Sequence, residues 1–78
     1  MLIYDKFNNI ITVGDILKFD NDKCYLVIEF ANDLVIQNIC KYTPPLKLKF
    51  FIKKGNKISA ERLCNINSYI WFILLCVI

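Results

Sequence analysis

The 78-residue sequence predicts an all-β fold, a small and strongly bent antiparallel barrel of five to six strands. Three observations predict it. Apolar residues make up 56% of the chain, and Ile, Val, Phe and Tyr, which suit a pleated and half-buried surface, are prominent among them. Short runs of these residues are separated by short polar or glycine-containing turns, the spacing of a meander that closes on itself. No stretch carries the period of a long amphipathic helix.

Leu2-Ile3-Tyr4 reads as a short edge. Asp5 to Asn9 follows as a turn, because the Asn8-Asn9 pair tolerates positive φ, and Ile10 to Val13 returns. Gly14-Asp15 breaks the run and Ile16 to Phe19 resumes it. Glycine permits a backbone that a Cβ forbids, and the aspartate can bond a nearby backbone N–H to start the strand sharply. This pair is therefore a folding device and not a catalytic acid. Asp20-Asn21-Asp22 turns. Cys24 to Phe30 is a strand in which Tyr25, Val27 and Glu29 alternate with Leu26, Ile28 and Phe30. Ala31-Asn32-Asp33 turns again, and Leu34 to Cys40 follows.

Thr43-Pro44-Pro45 ends that pairing, since proline donates no ladder hydrogen bond. Leu46 to Lys53 then alternates cleanly: Leu46, Leu48, Phe50 and Ile52 on one face, Lys47, Lys49, Phe51 and Lys53 on the other. Period two predicts a half-buried strand with a basic outer face. Lys54 to Lys57 is a turn. Residues 58–63 predict one helical turn with Ser59 as its N-cap. The chain closes on Tyr69 to Ile78, ten residues without a charge.

A chain of this length makes one domain, residues 1–78, and buries only about 60% of its unfolded surface. Its apolar fraction exceeds the roughly 45–50% of ordinary soluble domains, which favours a dense core or self-association as the compensation. The cysteines are Cys24, Cys40, Cys64 and Cys76. The opening MLIYDKFNN meets Asp5 and Lys6 before any apolar run, unlike a secretory signal. The expectation is a cytoplasmic protein with reduced thiols. With no histidine and no CxxC pair, no metal site and no cofactor are expected.

The stretch Asp5 to Phe19 (DKFNNIITVGDILKF), followed by Tyr25 to Asn38 (YLVIEFANDLVIQN), resembles the opening of the phage-encoded YopX-type proteins. The matching residues are Asp5, Lys6, Gly14, Asp15, Ile16, Lys18, Phe19, Val27, Glu29 and Phe30. The likeness covers about half the chain and fades after Cys40. It implies an SH3-like barrel on a mobile element, with no chemistry to carry over. A helical turn before the last strand is also a familiar feature of SH3-like barrels.

Enzyme chemistry is not expected. No histidine can serve as a general base, and no serine or threonine lies in a nucleophile-elbow or phosphate-loop setting. Two surfaces point to binding instead. Residues 1–33 hold six acids and three bases, whereas residues 34–78 hold seven bases and one acid, Glu61. Lys47, Lys49, Lys53, Lys54, Lys57 and Arg62 surround Phe51, and lysines interleaved with an exposed aromatic suit single-stranded nucleic acid or an acidic partner. Arginine, the better phosphate reader, occurs once. The same lysines suit an edge that blocks strand pairing with other chains.

The second surface is the C-terminal run. As a helix its ten residues reach about 15 Å, half of a bilayer core, so no transmembrane segment is expected. As a strand they place Ile70, Phe72, Leu74, Cys76 and Ile78 inward and leave Tyr69, Trp71, Ile73, Leu75 and Val77 as an apolar outer stripe. Such a stripe asks for a second surface. The functional expectation is a small non-enzymatic protein acting by protein–protein binding; the YopX-type resemblance implies an accessory protein of a phage or mobile element, inhibiting a host or defence factor. A homodimer through the last strand fits the same stripe. A KOW-like nucleic-acid-binding barrel using residues 47–57 and peripheral membrane association through the tail are the alternatives.

Overall fold

In the computed structural model, which describes residues 2–67, five strands form one antiparallel sheet. They are β1 (Asp15–Phe19), β2 (Cys24–Phe30), β3 (Asp33–Asn38), β4 (Leu46–Lys47) and β5 (Ala60–Asn65). Their order is β4-β3-β2-β1-β5, so the chain meanders outward from β1 to β4 and returns to lay β5 beside β1. The all-β expectation holds, with five strands. The turns behave as their residues dictate: Asn8, Asp22 and Asn32 adopt positive φ, where short polar side chains are tolerated.

Gly14 has φ +93°, and the Asp15 carboxylate accepts the Thr12 N–H at 2.8 Å, so the pair starts β1 as its residue types require. The expected Ile10–Val13 strand is reduced to a single bridge between Tyr4 and Ile10. The Ile11 N–H still donates to the Ile3 carbonyl and the Asp5 N–H to the Asn9 carbonyl, each at 2.9 Å, and further backbone bonds run to the other end of the described chain. The Tyr4 N–H donates to the Asn56 carbonyl, the Ile58 N–H to the Tyr4 carbonyl and the Lys6 N–H to the Ala60 carbonyl, each at 2.9 Å.

Two expectations for the second half of the chain are corrected. Residues 58–63 make no helical turn; Ala60 to Asn65 is β5, paired with β1 from Phe19↔Ala60 to Asp15↔Asn65 with a shift of register at Leu63, between Leu17↔Arg62 and Ile16↔Cys64. The long alternating strand over 46–53 stops after Lys47 and tightens into a 3-10 turn, Leu48–Phe51, with a second one at Lys54–Asn56. A 3-10 turn repeats every three residues. Leu48 and Phe51 therefore share the inner side, which period two would have divided. Leu48 is fully buried, Phe51 packs against the core, and Phe50 stands 74% exposed.

The core holds Ile3, Ile11, Leu17, Val27, Ile36, Leu48, Ile58 and Ala60, gathered from every part of the described chain. Fully burying one such aliphatic side chain contributes about 1.5–3 kcal/mol. An aromatic corner closes one end, with the Phe19 ring edge-on to Tyr25 at 5.3 Å and to Phe51 at 5.6 Å.

Candidate functional site

Opposed residues in an antiparallel pair share a face. Val27 pairs with Ile36, and both lie in the core. The neighbouring row, Ile28↔Val35↔Lys47, therefore faces away from it. Along β2 this outer face carries Leu26, Ile28 and Phe30, a second apolar stripe on a strand whose inner stripe is already committed. Ile28, Phe30, Val35, Pro45 and Lys47 line a cleft of about 350 Å³ on that face. Its floor is Val35, almost wholly buried, and Phe30 stands 73% exposed at its edge.

The proline pair before β4 positions one wall. Pro45 precedes the two-residue strand, and the Gln37 side-chain amide donates to the Thr43 carbonyl at 2.8 Å, tying the 39–45 connection back to β3. Lys47 forms the polar rim. Its Nζ lies 3.9 Å from Asp33 Oδ2 and 6.0 Å from the centre of the Phe50 ring, while Lys49 Nζ approaches the same Asp33 oxygen at 3.6 Å. Both pairs are largely exposed, where an ion pair contributes about 0–1 kcal/mol. A carboxylate arriving from outside can compete with Asp33 for either lysine.

The basic set expected to act together is divided. Lys47 and Lys49 sit at the β4 edge beside Asp33. Lys53, Lys54 and Lys57 surround the second 3-10 turn, where Lys53 bridges Lys57 and Lys57 bridges Tyr4. Arg62 lies exposed on β5. Phe51 does not stand among these lysines as a stacking ring, because the 3-10 turn rotates it inward against Phe19; Phe50 takes the outer position. The stripe Tyr69, Trp71, Ile73, Leu75 and Val77 lies outside the described residues, and so does Cys76. Cys24, Cys40 and Cys64 are free thiols.

Two buried carboxylates brace the scaffold. Asp5 is fully buried and accepts the N–H groups of Phe7 at 2.9 Å, Asn9 at 2.8 Å and Arg62 at 2.9 Å, with the Asn9 side-chain amide at 3.0 Å. Burial raises its carboxyl pKa, but the hydrogen bonds from Arg62, Asn9 and Phe7 outweigh it and hold the pKa below the ordinary aspartate value. Asp15 is likewise buried and accepts the Thr12 N–H and the Asn65 side-chain amide, both at 2.8 Å. Every carboxylate oxygen of the two residues accepts a hydrogen bond from the fold.

The apolar cleft was not anticipated as a site. Its signal is present in β2, where both alternating sets are apolar apart from Glu29. The same two-sided argument applied to residues 69–78 applies equally to Leu26, Ile28 and Phe30. No helix among the described residues is long and apolar enough to cross a membrane. Compared with protein-family models, curated proteins and solved structures, the chain matches none.

Proposed function

We propose that this protein is a non-enzymatic binding module whose cleft over Val35 receives an apolar segment of a partner protein carrying a carboxylate for Lys47. The observation that supports the reading is Phe30, a large ring 73% exposed beside a cleft of about 350 Å³ with aliphatic walls. Exposed apolar surface of this kind marks an interaction site. Aromatic anchors beside a pocket are the usual centre of such contacts. The role is steric: a cytoplasmic accessory protein of a phage or mobile element that covers part of a host or defence factor, in line with the YopX-type resemblance.

Phe50 supports a second reading. It is 74% exposed with Lys47 over its ring, the pairing of stacking ring and cation that single-stranded nucleic acid uses. The two readings separate in one experiment. A random peptide library selected on the full chain yields apolar sequences containing an acidic residue; their binding is lost in Phe30→Asp and retained in Phe50→Asp. Peptides that bind Phe30→Asp as well as the wild type, or no enriched peptide at all, overturn the protein-binding reading. Oligonucleotide binding that falls steeply with salt and disappears in Phe50→Asp establishes the second one.

A further inference from the structure

We infer that the turn from Lys53 to Lys57 is a docking tip for an anionic lipid surface, a contact separate from the cleft over Val35. Lys6, Lys18, Lys47 and Lys49 each have a carboxylate between 3.5 and 3.9 Å away. Among the described residues, no carboxylate comes that close to Lys53, Lys54 or Lys57. Lys53 and Lys57 are also directly opposed in an antiparallel bridge, with the Lys53 N–H donating to the Lys57 carbonyl at 2.6 Å. Like charges directly opposite each other destabilise a strand pair. The fold therefore sets two lysines side by side, adds Lys54 at the turn, and supplies no counter-charge.

The tip is both fixed and open. The Tyr4 N–H donates to the Asn56 carbonyl and the Ile58 N–H to the Tyr4 carbonyl, each at 2.9 Å, and Ile58 is buried in the core. Gly55 and Asn56 have φ of +76° and +57°, which turns the chain tightly. Nothing lies within 4 Å of the place a Cβ would take on Gly55, and Lys53 to Asn56 are all exposed. A broad anionic partner meets these lysines without rearrangement of the fold.

Leu2 favours a bilayer over other polyanions. Ile3 is buried, so Leu2 and Tyr4 turn the opposite way. The parallel bridge Tyr4↔Lys57 sets Leu2 toward Gly55, and Leu2 is 56% exposed. An apolar side chain beside clustered lysines matches the boundary between anionic headgroups and acyl chains. A nucleic-acid backbone offers nothing to Leu2, and the turn carries no arginine, whose fork reads phosphate.

The experiment sediments the full chain with vesicles of phosphatidylglycerol and phosphatidylcholine, and with vesicles of phosphatidylcholine alone. Association with the first only, weakening as salt rises, is the expected result. Lys53→Gln, Lys54→Gln and Lys57→Gln each lower the partition coefficient about five-fold, and Leu2→Ser lowers it further. Lys41→Gln removes the same charge elsewhere and leaves it within two-fold of the wild type, by about the same scale. Far-UV circular dichroism verifies that the variants keep the sheet. No association at low salt overturns the inference, as does equal association with phosphatidylcholine alone, which assigns the contact to apolar surface. An equal loss in Lys41→Gln assigns it to net charge and overturns the tip. Binding of a duplex oligonucleotide that the lysine variants lose, with no vesicle association, gives the tip to nucleic acid and overturns the lipid reading.

Discussion

Asp5 and Arg62 are 57 positions apart, yet the Asp5 carboxylate accepts the Arg62 backbone N–H at 2.9 Å. The guanidinium takes no part in this bond. One buried side chain in the first turn thereby fixes β5, and with it the return of the chain to β1. Asp5 also closes its own turn through Phe7 and Asn9, so the local and the long-range constraint share a single carboxylate.

Asp5→Ala is expected to be among the most destabilising single changes. It leaves the N–H groups of Phe7, Asn9 and Arg62 without their acceptor, and orphaning buried donors costs roughly 1–3 kcal/mol each before relaxation and water entry. A net loss of about 2–3 kcal/mol is expected as a lower urea midpoint. Arg62→Ala keeps the backbone donor and should change the midpoint little.

The same carboxylate sets an acid limb. Its folded pKa lies below the unfolded value, so its contribution is fully present above that unfolded value, about 3.9, and is lost as pH falls through the folded one. Asp5→Asn cannot titrate there. The stability difference between the wild type and Asp5→Asn should narrow between about pH 5 and about pH 3 in urea unfolding, because the other acids titrate alike in both proteins. A gap that widens toward acid would reverse the sign of the assignment.

The two glycines separate backbone strain from crowding. Both have positive φ, +93° at Gly14 and +76° at Gly55. A Cβ on Gly14 would meet the Asn67 side-chain amide at 2.8 Å and Asn65 Oδ1 at 3.2 Å, whereas nothing lies within 4 Å at Gly55. Gly55→Ala should cost about 1 kcal/mol from φ alone, and Gly14→Ala about 2–3 kcal/mol, both read by thermal or urea unfolding.

The 3-10 turn at Leu48–Phe51 makes a prediction opposite to that of a continued strand. Leu48→Ala should cost about 2–5 kcal/mol, as for other fully buried leucines. Phe51→Ala should also be costly, through the lost contact with Phe19. Phe50→Ala should fall within about 0.5 kcal/mol of the wild type, as exposed positions do.

Much of the sheet is legible in the sequence because its turns are written in residues with special backbone freedom. Gly14-Asp15, Asp20 to Asp22 and Ala31 to Asp33 bracket β1 and β2, and β2 runs Cys24–Phe30 as its alternation indicates. The second half is less legible because Leu46 to Lys53 reads as a strand to a period-two analysis. Only the tertiary fold, which draws Leu48 and Phe51 to one side, selects a period of three. Ala60 to Asn65 carries helix formers in Ala60, Glu61, Arg62 and Leu63, and pairing with β1 overrides that local preference. The site was hidden for a related reason: a strand apolar on both faces does not announce which face the core will take.

The account depends most on the outer face of β2 and β3 being the binding surface. The direct measurement is an NMR shift map of the full chain titrated with a library-selected apolar peptide. The account predicts shifts concentrated at Ile28, Phe30, Val35 and Lys47, with Lys53, Lys54 and Lys57 unmoved. Shifts centred on Phe50 and the Lys53–Lys57 turn, with Ile28 and Val35 unchanged, would contradict it.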